Sequence, residues 1–377
     1  MKKVWIFTAV LMSLAQYVHA FESAARNAIL VDFDTGAYLY TKNHQDKMPP
    51  ASMSKLMTIY IIFDKLKTGK LSLDDEFTVS ENAWRKGGAA SGGSTMFLNI
   101  GEKVTVDDLL RGIIIQSGND ACIVAAENIS GSEEEFATLM NKTAEKLNLK
   151  NSSFANSTGL PDEKQMMSAE DLALLARAII KEYPEYYHIF KQKEFMHNGI
   201  NQGNRNPLLY SVEGADGLKT GHTSEAGFCL TGSAIRHGQR FIEVIAGLNS
   251  NKERSEEAER LMNYGFREFE KYQFFTKGQI IDNVKVWYGE DKTVDMLVKN
   301  DVVRLIKKGD GEKYSFKVIY DEPLKAPVKK NDVVGQIEIK SPDATKEIIP
   351  LVASKDVGEV GLFTRFVSNI KYYLKGK

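Results

Sequence analysis

Apolar positions along this 377-residue chain fall into distinct textures, and each predicts a different kind of element. Near the start, Ala28-Ile29-Leu30-Val31-Asp32 is followed by the turn Asp34-Thr35-Gly36 and then Ala37-Tyr38-Leu39-Tyr40, which predicts a hairpin. Pro49-Pro50-Ala51 precede Ser52, and Leu56, Met57, Ile59 and Tyr60 follow it, so a helix is expected to start near that serine. Residues 109–115 form a strongly apolar helical run, which Ser117-Gly118-Asn119 breaks and residues 120–126 resume. Further on, residues 215–223 lead into the apolar run 227–234; Arg236-His237-Gly238-Gln239 turns the chain and 240–246 returns, a second hairpin. Strands at both ends with helices between predict an α+β fold, one antiparallel sheet flanked by helices. A unit of this size can bury a large core.

From about Phe275 the texture changes. Val284, Val286 and Tyr288 alternate with polar residues, as do Phe316, Val318 and Tyr320, then Ile337 and Ile339, with Gly-, Asp- and Pro-rich turns between them. This predicts a small all-β domain without catalytic residues. At the end, Val360, Phe363, Phe366, Val367, Ile370 and Leu374 fall on one face of a helical wheel, while Thr364, Arg365, Ser368, Lys371 and Lys375 fall on the other. An aromatic-rich apolar face beside a basic one suits a helix lying in a membrane interface rather than spanning it. The expected division is a leader over 1–20, the mixed unit over 21–274, the β domain over 275–355 and the amphipathic helix over 356–377.

The leader bears on compartment. Met1-Lys2-Lys3, the largely apolar stretch from Val4 to Ala15 and the small-residue site Val18-His19-Ala20 read as an export signal, with Phe21 opening the mature chain. The apolar stretch is short for a membrane span. Loss of Lys2 and Lys3 takes the formal net charge from −1 to −3, a near-neutral balance that gives no hint of a nucleic-acid partner. The two cysteines, Cys122 and Cys229, could formally pair, but both lie in apolar runs and are expected to be free buried thiols. The six histidines form no metal-ligand cluster, and no glycine-rich phosphate loop precedes a helix, so neither metal nor cofactor is expected.

Three short motifs carry the chemistry: Ser52-Met53-Ser54-Lys55, Ser117-Gly118-Asn119 and Lys219-Thr220-Gly221. A serine hydroxyl needs an adjacent base to become a nucleophile. Ser-x-x-Lys on a helix puts both side chains on one face, so Lys55 can reach Ser52. Lys55 can act as base when neutral, a state that burial and a neighbouring cation such as Lys219 favour. In the break between helices, Ser117 can relay a proton to a leaving amine and Asn119 can hydrogen-bond a substrate amide. An ammonium beside a hydroxyl, Lys219 with Thr220, suits a substrate carboxylate. Gly221 lets a ligand approach the backbone, and a peptide could add along this strand as a further strand. His222 adjoins the motif as a cleft-lining residue.

Over nearly the whole expected mature chain the sequence resembles the low-molecular-mass penicillin-binding proteins, specifically serine-type D-alanyl-D-alanine carboxypeptidases. The resemblance rests on residues 50–58 around Ser52, on Gly92-Gly93-Ser94-Thr95-Met96-Phe97-Leu98, and on residues 216–223. Asn156-Ser157-Thr158-Gly159-Leu160-Pro161 and Asn263-Tyr264-Gly265-Phe266 add to it. It implies a β-lactamase/transpeptidase-like domain, a second domain acting as a stalk or contact module, and a C-terminal membrane anchor. It also implies a site outside the cytoplasmic membrane, peptidoglycan stem peptides as substrate and β-lactams as inhibitors. Carried over by position, Ser52 is the acylated nucleophile and Lys55 the base; Ser117 and Asn119 form the second wall, Lys219 and Thr220 receive the terminal carboxylate, and the backbone N–H groups of Ser52 and His222 form the oxyanion hole. Arg205 and Arg254 fall where the family carries arginines near the cleft, and Met166-Met167-Ser168-Ala169 departs from its usual Thr- or Ser-rich pattern. A class A β-lactamase would need a Glu-x-x-x-Asn element, yet Glu163 is followed four residues on by Met167. A transpeptidase or endopeptidase using the same acyl-enzyme, and a non-catalytic wall-binding protein keeping the fold, are the remaining alternatives.

Overall fold

The computed structural model describes residues 21–366; the expected leader and the terminal segment from Val367 onward lie outside the described residues. Five strands, β1 (Asn27–Asp32), β2 (Tyr38–Lys42), β3 (Ala215–Thr223), β4 (Gly227–Arg236) and β5 (Gln239–Leu248), form one antiparallel sheet in the order β2-β1-β5-β4-β3. The first hairpin therefore joins the late strands through β1 and β5, with Ile29 opposite Val244 and Leu30 opposite Glu243. Strand β3, which carries Lys219, Thr220 and Gly221, is left at the edge.

Both faces of this sheet are covered, which is why β1 reads as a continuous apolar run rather than an alternation. Ile29, Val31, Ile242 and Val244 face one core, which helices α1 (Lys55–Lys67), α2 (Asn119–Ser130), α3 (Glu133–Lys146) and α4 (Ala169–Glu182) help to build. Ala28, Leu30, Phe241 and Ile245 face the other, against Ala258, Leu261 and Met262 of α5 (Asn251–Glu268). Helix α1 is buried on all sides from Lys55 to Phe63, as expected of a helix running through a core. Ser80, Ser132, Ser168 and Ser250 cap four of the helices by accepting from the backbone N–H three residues on.

Helix α5 runs directly into β6 (Phe269–Phe275), which pairs with β9 (Val302–Lys307). Beyond it, β7 (Ile280–Trp287), β8 (Thr293–Val298), β10 (Ser315–Ile319), β11 (Leu324–Lys325), β12 (Val333–Lys340) and β13 (Lys346–Ala353) form a six-stranded sheet in the order β10-β12-β13-β8-β7-β11. Val284, Val286, Ile337 and Ile339 enter its core, as the alternation predicts. Phe316 and Val318 stay exposed, because β10 is an edge strand; Phe316 packs instead on Phe274 and Phe275. Residues 362–366 form one helical turn, on which Leu362, Phe363 and Phe366 are 82%, 81% and 64% exposed. Among the described residues no helix is long and apolar enough to cross a membrane.

Candidate active site

Ala51–Ser54 form a 3₁₀ turn, and Lys55 opens α1 behind it. Residues three apart eclipse in such a turn, which brings Lys55 Nζ to 2.9 Å from Ser52 Oγ. The same amine donates to Asn119 Oδ1 at 2.8 Å and to the Thr158 carbonyl at 2.5 Å. Three acceptors match the three hydrogens of an ammonium. Lys55 has no exposed surface. Burial pulls its pKa down to about 8, with Arg205 pushing the same way and Cys122 and Asp120 opposing. Of those two opponents, the Cys122 thiol is itself pushed up to about 12 by burial, so at neutral pH it brings no charge. Arg205 is thus a further cation pressing on Lys55, beside Lys219, whose repulsion with Lys55 is mutual.

Lys219 forms the opposite side of the site. Its Nζ donates to Ser117 Oγ at 2.9 Å and to the Thr220 carbonyl at 3.1 Å. Burial, and then the charges of Lys55 and Arg205, hold it well below the usual lysine range. Ser117 sits in the break expected from the sequence, between a π-helical turn (Gly112–Gln116) and α2, with φ +61°. A non-glycine residue held in the left-handed region costs about 1 kcal/mol or more, which the surrounding core must offset. Asn119 uses Oδ1 for Lys55, which leaves its Nδ2 end for a ligand carbonyl.

The segment after Gly92 closes the second wall. Asp120 anchors it from inside: its carboxylate accepts from Thr95 Oγ1 at 2.6 Å, from the Met96 N–H at 2.8 Å and from the Leu98 N–H at 3.2 Å. Arg205 donates to Ser94 Oγ at 2.5 Å. A Cβ on Gly93 would lie 2.8 Å from Asn119 Nδ2, so glycine there lets the segment close on the asparagine. Gly221 has a similar use: its missing Cβ would sit 3.0 Å from the Pro50 carbonyl and 3.1 Å from Ala51. The close approach it permits is that of strand β3 to the turn carrying Ser52. The His222 ring is exposed and stacks on Phe228 with centroids 3.9 Å apart. Arg254 lies buried over the other ring partner, 5.8 Å from the Phe228 centroid, its pKa lowered to about 10 by burial.

Ser52, Asn119, His222, Arg205, Ser94 and Leu160 line one open cleft of about 400 Å3. The structure thus gathers all eight sequence-proposed residues, Ser52, Lys55, Ser117, Asn119, Lys219, Thr220, Gly221 and His222, around the end of β3. Sequence reasoning missed the Thr158 carbonyl and Asp120, whereas Ser94 lies in the 92–98 segment it had singled out. Only the first contacts Lys55 through backbone, for which a side-chain motif carries no signal; the Asn156-x-Thr158-Gly159 turn was the available hint. Among the described residues no group of three or more His, Cys, Asp or Glu side chains could hold a metal ion. Cys122 and Cys229 are free and buried.

Comparison with known proteins agrees with this geometry. Residues 14–250 match the model of the D-alanyl-D-alanine carboxypeptidase family, and residues 269–359 match that of the penicillin-binding protein 5 C-terminal domain. The D-alanyl-D-alanine carboxypeptidase DacD of Escherichia coli is 39% identical over 347 residues, 91% of this chain and 89% of its own. DacC of the same organism is 39% identical over 365 residues, 96% of this chain and 91% of its own. The crystal structure of penicillin-binding protein 5 from Haemophilus influenzae superposes with a TM-score of 0.75 at 36% identity, covering 91% of this chain and 100% of that one. The fold is therefore the transpeptidase-like fold followed by an all-β domain. On the matched family model, the span of the relatives and the gathered serine and lysines, the chain belongs to the D-alanyl-D-alanine carboxypeptidase family of penicillin-binding proteins.

Proposed function

We propose that the protein is a serine D-alanyl-D-alanine carboxypeptidase that removes the terminal D-alanine from peptidoglycan stem pentapeptides. The observation that carries this reading is the buried Lys55 amine held 2.9 Å from Ser52 Oγ, with Lys219 and Ser117 paired across the cleft. Neutral Lys55 takes the proton from Ser52 as Oγ attacks the carbonyl of the penultimate D-alanine. The backbone N–H groups of Ser52 and His222 receive the oxyanion. The leaving amine of the terminal D-alanine gains a proton through Ser117, and water then hydrolyses the acyl-enzyme. Lys219 and Thr220 receive the terminal carboxylate, whose charge favours the ammonium form of Lys219 that burial alone disfavours. A β-lactam mimics the dipeptide and leaves a slowly hydrolysed acyl group on Ser52. Glu163 is exposed and lines, with Glu225, a recess that Ser52 does not line, which counts against a deacylating glutamate of the β-lactamase kind.

Incubation of the chain from Phe21 with a pentapeptide ending in D-Ala-D-Ala is expected to release one D-alanine per peptide, and penicillin should block that release. Stable labelling by penicillin with no released D-alanine would overturn the carboxypeptidase reading and point to another acceptor or donor, as in a transpeptidase or endopeptidase.

The exposed Leu362, Phe363 and Phe366 and the amphipathic pattern of the sequence past them support attachment to a membrane surface, and the export signal places that surface on the outer face of the cytoplasmic membrane in this reading. The chain from Phe21 should sediment with anionic lipid vesicles, and a version ending at Val360 should stay in solution. Equal sedimentation of the two would overturn the anchor.

A further inference from the structure

The carbonyl that receives one hydrogen of Lys55 lies in a loop whose side chains stay outside the reaction, and one residue sets its direction. Thr158 and Gly159 share a peptide plane, Thr158 supplying the C=O and Gly159 the N–H. This peptide is not among the cis bonds of the chain, so its N–H and C=O point to opposite edges of the plane. On one edge the Thr158 carbonyl accepts from Lys55 Nζ at 2.5 Å. On the other the Gly159 N–H donates to Asn156 Oδ1 at 2.8 Å. The same oxygen accepts from the Thr158 N–H at 3.1 Å and from Thr158 Oγ1 at 2.9 Å, and Asn156 Nδ2 donates onward to the Leu160 carbonyl at 3.1 Å.

Other contacts fix where the loop lies without fixing the rotation of that plane. Thr58 of α1 donates to the Ser157 carbonyl at 2.7 Å, and Ser157 Oγ donates to Glu133 of α3 at 2.8 Å. Gln165 Oε1 accepts from the Ala155 and Asn156 N–H groups at 2.7 and 3.1 Å, which holds the backbone of Asn156 itself. Gly159 has φ +79°, and a Cβ there would fall 2.0 Å from the Ala51 carbonyl, so the loop packs directly on the turn that carries Ser52.

We propose that Asn156 is a positioning residue for the general base: by holding the Gly159 N–H it aims the Thr158 carbonyl at Lys55 and so sets where that amine sits and how strongly its charged form is held. The proposal rests on the reading of Lys55 as the base. Donation from the N–H edge polarises the peptide and strengthens its carbonyl as an acceptor. A carbonyl accepting from an ammonium favours the charged form over the neutral one. Without the Asn156 acceptor, the plane loses the hold on its N–H edge and the ammonium loses part of its stabilisation. Two effects follow together. The acid limb of acylation moves to lower pH, and the plateau falls because the amine is less well placed against Ser52. A lesion that merely lowered the amount of folded protein would lower the labelled amplitude and leave the rate constant and its limb in place.

The test is the rate constant for acylation by fluorescent penicillin as a function of pH, in the wild-type chain and two variants. Asn156→Ala is expected to lower the plateau about 10- to 100-fold, the scale of an ångström-sized misplacement, with the limb moved to lower pH. Asn156→Asp keeps an oxygen for all three donors; its plateau should stay within about threefold of wild type, with the limb moved to higher pH by the added negative charge. An Asn156→Ala protein with its limb unmoved would overturn the proposal. Should that variant fail to fold, Asn156→Asp decides: a retained plateau supports the role, and a plateau lowered about tenfold or more overturns it. A wild-type profile with no limb at all would instead overturn Lys55 as the base, and this proposal with it.

Discussion

Replacement of Ser52 by alanine is expected to abolish both covalent labelling by fluorescent penicillin and release of D-alanine, while the protein remains folded. Removing a catalytic nucleophile typically costs a factor of about 10⁴ or more, because no neighbouring group can form the same acyl intermediate. The structural cost should be small. Ser52 lies in a 3₁₀ turn at the edge of the cleft, and its hydroxyl supplies one of three acceptors around Lys55. Asn119 Oδ1 and the Thr158 carbonyl continue to hold the amine when that hydroxyl is gone. Intact-mass measurement after penicillin treatment separates the outcomes. An unmodified Ser52→Ala protein with an unchanged thermal transition supports the assignment. A stoichiometric adduct would refute it, and one mapped to Ser117, whose hydroxyl accepts from Lys219 at 2.9 Å, would exchange the roles of the two serines.

What could be read in the sequence was what depends on side-chain type at short range. Ser52 and Lys55 lie three residues apart, so helical geometry alone joins them. The hairpin of β4 and β5 announces itself because Arg236-His237-Gly238-Gln239 lies between two apolar runs, and the first hairpin does the same through Asp34-Thr35-Gly36. What escaped depends on backbone atoms or on distant packing. The Thr158 carbonyl reaches Lys55 across 103 positions of sequence, and peptide groups look alike at every position. Asp120 resembles any acid in the first turn of a helix until the fold brings residues 95–98 to it. Gly221 was legible as a place of close approach but not as to what approaches, since the identity of the neighbouring Pro50 carbonyl belongs to tertiary structure. In the β domain, alternation located the strands but could not distinguish interior from edge. Val284 and Phe316 follow the same period, yet one is fully buried and the other 42% exposed.

Acylation of the wild-type protein should rise with pH and level off above about 8, and Lys55→Arg should remove both the rise and nearly all of the rate. Lys55 accepts the Ser52 proton when it is neutral. Burial brings its pKa down to about 8, so below that value the active fraction falls about tenfold for each pH unit. The same shift has a consequence for stability with a definite sign. An unfolded lysine titrates near its ordinary value of about 10.4, so between about 8 and that value the unfolded chain binds a proton that the folded chain has released. Stability contributed by this group therefore rises with pH across that window and is lowest where Lys55 is charged in both states. The cost of keeping it buried at neutral pH, about 3 kcal/mol from the size of the shift, is what the protein expends to have a basic amine beside Ser52. Arginine keeps the positive charge but does not deprotonate in a protein, so it can occupy the pocket without serving as a base. General-base contributions are typically 10²- to 10⁴-fold, and a loss of about 10³ is expected here. Stopped-flow acylation across the pH range decides the matter. A flat wild-type profile, or an arginine variant acylated at near wild-type rate, would move the base to another group, with Lys219 the first to test because its amine faces Ser117 and burial holds it well below the usual lysine range.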